Sequence, residues 1–240
     1  MASESSFSGG AGEAFLNAEL YADLIRAGGL SRAIAKAAED AGVEVGRVVP
    51  SGASLRASCS TAVAATDRGK ISVLLGVKER RFSISIDGET HVWAAGGTSD
   101  ITSVARVIAS WRTGVTLRLL ASEFPFMEYD AMAQAYEDGD PVQAQWDKVL
   151  GSDQHPEMHA ILRQAYSRPE IRRLYPYFSH GVLRFLTDCN DVTAVRVFVD
   201  HAAEGHYCVG TTIAGDTGED IYSIQGVIDK MMDLISRLAK

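Results

Sequence analysis

The chain has 240 residues, 46% apolar and 22% charged, an ordinary globular balance that argues against a disordered chain. Its net charge of −8 argues against nucleic-acid or anionic-membrane binding by the surface as a whole, and no run reaches the roughly 20 apolar residues of a membrane span. Three widely spaced cysteines, Cys59, Cys189 and Cys208, without any Cys-x-x-Cys, predict reduced thiols and a cytoplasmic setting.

Residues 1–12 are small and polar, with no basic start and no apolar run, and read as a flexible tail rather than a secretory signal. Leu16, Leu20 and Leu24 then recur at helical spacing until Gly28-Gly29, predicting a helix over 13–27. Ser31 is the expected cap of a second helix carrying Leu30, Ile34 and Ala38, so the two form a hairpin. From Val43 the period shortens. Val45, Val48 and Val49 lead to Pro50, residues 55–66 are small and strand-tolerant, and Asp67-Arg68-Gly69 marks a turn. Ile71, Val73 and Leu75 alternate, as do Phe82, Ile84 and Ile86 before Asp87-Gly88, a strong hairpin signal. In the returning strand Val92 and Ala94 are expected on one face, His91 and Trp93 on the other.

Thr98, Ser99 or Asp100 caps a helix whose buried stripe is Ile101, Val104, Ala105, Ile108 and Trp111. Residues 115–178 read as a helical insertion, broken at Pro125 and restarted at Asp140-Pro141 and His155-Pro156. Strands return at 182–186, 194–199 and 207–213, and a last helix is expected over 220–238. Asp100-Ile-x-Ser-Val-x-x-Val-Ile108 is echoed by Asp220-Ile-x-Ser-Ile-x-x-Val-Ile228. The echo is either chance or two related helices covering one mixed sheet. The fold class is α+β: a largely antiparallel sheet built from two units, each a strand run followed by a helix. A single domain over 13–240 is expected.

The insertion is polarised. Residues 127–157 hold eight acids against one cation, Lys148, whereas residues 160–187 hold five arginines against Glu170 and are rich in aromatics. Either the two stretches pair with each other, or the arginines and aromatics form a ligand or partner surface. His155 and His159, four apart, have metal-ligand spacing, but no His-Glu-x-x-His is present and Pro156 makes helix initiation the simpler reading. His180 and Cys189 are separated by too long a strand for a nucleophile–base pair, so Cys189 reads as a buried thiol. His206 and Cys208 share one side of a strand. With no dinucleotide, P-loop, Gly-x-Ser-x-Gly or EF-hand pattern, neither a cofactor nor a metal is predicted.

Thr98 through Gly114, Leu117-Arg-Leu-Leu, Glu123-Phe-Pro-Phe-Met127, Gln143-Ala-Gln-Trp146 and Pro169 through Phe185 together resemble an actinobacterial domain of unknown function filed under natural-product biosynthesis. The likeness spans about residues 90–187. It rests on the spacing of Trp111, Phe124-Pro-Phe126 and Ser179-His180-x-x-Leu183-Arg184-Phe185, and it implies a context without a mechanism.

An accessory protein of such a pathway is therefore expected, binding a small molecule, a peptide or a pathway protein. The candidate ligand residues are Ser179, His180, Arg184 and Phe185, with Tyr175, Tyr177 and Phe178, and with Trp111, Phe124 and Phe126 lining or supporting them. Polar groups inside an aromatic frame are typical of ligand pockets. The alternatives are a transferase or cyclase using His180 and Arg184, with both aimed into a deep pocket, and an immunity or chaperone-like protein presenting the acids of 127–157 to a basic partner.

Overall fold

The computed structural model describes residues 16–52, 59–191, 193–202 and 205–238. The tail expected over 1–12 lies outside them. The chain divides into two compact units, Met1–Gln134 and Ala135–Lys240. Each has its own antiparallel sheet and its own core.

The first unit opens with α1 (Ala18–Ala27), capped by the Asn17 side chain, and α2 (Leu30–Ala41). Gly29, not Ser31, occupies the cap position of α2; Ser31 is buried inside the helix. Then come β1 (Val48–Pro50), β2 (Thr61–Thr66), β3 (Gly69–Leu75), β4 (Phe82–Asp87) and β5 (Val92–Thr98). α3 (Ile101–Arg112) follows with Asp100 as its cap, then α4 (Leu117–Glu123) and β6 (Met127–Glu128). The six strands lie in sequence order, as a meander. Register aligns Ala64, Ile71, Ile86 and Ala94 in one row and Ala62, Val73 and Ile84 in the next. These residues are buried, so one face of the sheet packs into a core shared with α1, α2 and α3.

A bulge between Ile86 and Asp87 disturbs the expected alternation of β5. Val92 stays half exposed while Trp93 packs on the core beside Trp111, with ring centroids 5.9 Å apart. The Arg68 guanidinium lies 3.8 Å over the Trp111 ring.

Arg80, in the connection between β3 and β4, ties that connection to α1. It donates to both carboxylate oxygens of Asp23, at 2.9 and 2.8 Å, and to the Leu20 carbonyl at 2.8 Å. The Arg80 hydrogen bonds, reinforced by its charge, hold the Asp23 carboxyl below the usual carboxylate range. A carboxyl whose folded value is depressed contributes stability that is complete above its unfolded value and disappears as pH falls through the folded one. The expected result is that wild type loses stability faster than Arg80→Met on acidification from about pH 5 to about pH 3. Parallel urea titrations across that range check it; identical slopes would refute the coupling.

α5 (Ala131–Asp138) spans the division between the units. The second unit continues with α6 (Pro141–Leu150), a 3-10 turn at Pro156–Met158, α7 (His159–Tyr166) and α8 (Pro169–Arg172). Next are β7 (Tyr175–Ser179), β8 (Val182–Leu186), β9 (Arg196–His201), β10 (Tyr207–Thr211), β11 (Glu219–Ile221) and α9 (Ile224–Leu238). The strands again lie in order, leaving β7 and β11 at the two edges. Leu183, Phe185, Val197, Val199 and Val209 form the buried face, packed with Ile161, Leu162 and Ala165 of α7 and with Val227, Ile228 and Met231 of α9.

Three expectations are corrected. The one largely antiparallel sheet expected is two antiparallel sheets, of six and five strands. The helical stretch to residue 178 ends at Arg172, and Tyr175–Ser179 is a strand. The echo is not structurally equivalent: Asp100 caps α3 through the Thr102 and Ser103 amides, whereas Asp220 lies within β11. There the helix begins three residues later, with the Ser223 hydroxyl accepting from the Gly226 amide.

Candidate functional site

The site is built where α6 lies against the edge strand β7. Asp140 caps α6 and Pro141 occupies its first turn, where a missing N–H costs nothing. The helix buries Gln145, Trp146 and Val149. The Trp146 ring packs against Tyr166 and Phe185, at 5.3 and 5.8 Å between centroids. Its indole N–H donates to the carbonyls of Arg172 and Leu174, at 2.8 and 3.0 Å. The buried Gln145 amide donates to the Pro176 carbonyl at 2.7 Å and accepts from the Tyr175 hydroxyl at 3.4 Å.

β7 and β8 are joined by His180-Gly181, with φ of 54° and 81°. Two left-handed residues make a two-residue hairpin turn of the primed type, and Ser179 pairs directly with Val182. In such a hairpin the flanking pair is hydrogen-bonded and the pairs then alternate. The main-chain groups of Ser179, Tyr177 and Tyr175 therefore face β8, while those of Phe178, Pro176 and Leu174 face the open edge. Trp146 and Gln145 bond to the carbonyls of Leu174 and Pro176, and proline has no N–H to leave exposed. The N–H and C=O of Phe178 remain directed outward.

Beside them is a cleft of about 350 Å³. Gln145, Lys148 and Val149 line it from α6, Ser152 and Gln154 from the loop that follows, and Tyr175, Tyr177 and Phe178 from β7. His155 stacks on the Phe178 ring at 4.1 Å and closes the loop onto the strand end. The lining offers amides, hydroxyls, aromatic rings and a single cation. Such groups can hydrogen-bond to and stack on a ligand. The lining lacks a paired nucleophile and base.

The sequence candidates separate into four groups. Tyr175, Tyr177 and Phe178 line the cleft. Ser179 and His180 form the hairpin end, with Ser179 Oγ 3.1 Å from His180 Nδ1. Arg184 pairs in register with Tyr177 on the face away from the core, whereas Phe185 is fully buried against Trp146. Trp111 and Phe124 are buried in the core of the first unit, where Phe126 packs beside Phe124 at 5.9 Å. Gln145, Lys148, Ser152 and Gln154 are additions. Only Lys148 carried a signal, as the lone cation among eight acids.

The other candidates have structural partners. Cys189 is buried three residues beyond β8, and burial, with help from Asp188, pushes its thiol up. His159 reaches the Gln154 carbonyl and His155 pairs with Glu157, both at 3.3 Å. His206 lies 3.5 Å from Asp220. Among the described residues no three His, Cys, Asp or Glu side chains are grouped to hold a metal. Of the acids of 127–157, Asp130 and Asp140 cap helices, Asp147 accepts from Gln143, and Glu157 faces His155. Arg172 lies over the Tyr166 ring.

A larger cavity, about 390 Å³, lies in the first unit among α1, α2 and the start of α3. Much of its charged rim is already paired, Lys36 with Asp40 and Asp23 with Arg80.

Residues 140–229 match the model of a family of unknown function (DUF6193). The entire α6–β7 cleft falls within the matched residues. No curated protein and no solved structure matches the chain. The match overlaps the sequence resemblance over 140–187, and both give a domain of unknown function. No described helix is long and apolar enough to cross a membrane.

Proposed function

We propose that the protein is a cytoplasmic accessory protein of a bacterial natural-product pathway, and that the α6–β7 cleft holds its ligand, a pathway small molecule or peptide. The observation that carries the binding reading is the composition of the cleft. Tyr175, Tyr177 and Phe178 face Gln145, Ser152 and Gln154 across a space of ligand size. The pathway setting, with its actinobacterial association, rests on the sequence resemblance over 90–187. The alternative of a transferase or cyclase needs His180 and Arg184 directed into one pocket, and neither is among the residues that line this cleft.

Native mass spectrometry of the full chain against a mixed library of specialised-metabolite intermediates and short peptides tests the reading. At least one bound species is expected. Ser152→Trp, which places an indole in the cleft, is expected to weaken it by about tenfold, roughly one good contact's worth. A library that yields no bound species, or a ligand bound equally by Ser152→Trp, would overturn it.

A further inference from the structure

Resting on that reading, we infer that the cleft takes the carboxyl-terminal end of an extended peptide. The edge of β7 is closed to a strand running its full length, because the Leu174 and Pro176 carbonyls are held by Trp146 and Gln145 and Pro176 has no N–H. One residue, Phe178, still presents a donor and an acceptor together. A single residue of a partner chain in extended conformation satisfies both, which is strand addition reduced to one pair. A peptide crossing the cleft would collide with the seal at Pro176, so it enters by an end. The volume of about 350 Å³ suits a chain end rather than a long segment.

Charge chooses which end. Lys148 is the cation of the lining, and it marks where a terminal carboxylate sits. Asp147, Asp153 and Glu157 are exposed and adjoin lining residues or the stacked His155. They repel an anionic peptide body and favour a basic one. The ligand class is therefore a basic peptide with a free carboxyl terminus.

The probe is an N-acetylated tetrapeptide of alternating lysine and valine, prepared in three forms. These are the free acid, the carboxyl-terminal amide, and the free acid with its last peptide nitrogen methylated. Binding to the full chain is measured by calorimetry and by the backbone amide resonance of Phe178. The free acid is expected to bind and to shift that resonance. The amide is expected to bind about three- to fivefold more weakly, as for an exposed ion pair, and the methylated form about tenfold or more. In Lys148→Gln the acid and the amide should bind alike.

The inference is overturned if the amide equals the acid on wild type, if the methylated form binds as well as the free acid, if Phe178 is unmoved, or if Ser152→Trp binds the acid normally. If these peptides fail while a metabolite binds in a manner sensitive to Ser152→Trp, this inference falls and the binding reading stands. If nothing occupies the cleft, both fall.

Discussion

Trp146→Ala is expected to destabilise the second unit by about 4 kcal/mol. Truncating a buried tryptophan costs about 3–5 kcal/mol through lost contact and the cavity left behind. Trp146 is fully buried between Tyr166 and Phe185. Its loss also strips the carbonyls of Arg172 and Leu174 of their shared donor, each at risk of about 1 kcal/mol or more where water cannot replace it. Trp146→Phe keeps most of the packing and loses only the donor, so it should cost about half as much. Urea unfolding followed by circular dichroism measures both. A loss under about 1.5 kcal/mol for Trp146→Ala would show that α6 is not held to β7 by this side chain. The same substitution should abolish ligand binding, because Gln145 and Lys148 reach the cleft from the helix that Trp146 anchors.

Gly69→Ala is expected to cost the first unit about 3 kcal/mol or more, from two sources. Gly69 has φ of 108°, a conformation that side chains resist, and it begins β3 at the turn after β2. A Cβ there would stand 2.0 Å from the Asp87 carbonyl oxygen, on the strand that pairs with β3. Relieving that overlap means parting β3 from β4 next to the Lys70–Asp87 pair. Gly114→Ala isolates the backbone contribution. Gly114 has φ of 82° and nothing within 4 Å of the added carbon, so about 1–2 kcal/mol is expected. Equal losses for the two variants in thermal or urea unfolding would refute the steric account.

The elements that were legible are those whose signals are local. α3 has its cap and its apolar stripe within a dozen residues, and Asp100, Val104, Ile108 and Trp111 occupy their expected places. The β4–β5 hairpin follows from alternation and Asp87-Gly88, but a bulge changes the phase without leaving a mark in composition, so Trp93 packs on the core while Val92 does not. β7 escapes the sequence patterns for a related reason. Its turn is carried by His180-Gly181 rather than by Asn-Gly or Asp-Gly, and it is only five residues long after a run of helices. The echo misled because Asp-Ile-x-Ser can cap a helix or lie in a strand. Pairing of Asp220 with Cys208 decides the second copy.

The same division runs through the site. Aromatic density pointed to Tyr175, Tyr177 and Phe178, and the cleft is lined by all three. The density around Trp111 and Phe124 looked similar but belongs to a core, since an aromatic serves burial as readily as recognition. Gln145 and Gln154 had no signal, because an amide becomes part of a site only through what it faces.

By itself the sequence determined the α+β class, the helical hairpin at the start, the strand runs other than β7, and the helices capped by Asp100 and Asp140. Each is specified by neighbours within one turn or one hairpin. The tertiary structure alone decided that the strand runs close into two sheets, that α6 seals β7 at Leu174 and Pro176, and that Phe178 is left with its main chain unpaired at the edge. These depend on contacts between residues some 30 apart, such as Gln145 with Pro176, which no local pattern encodes.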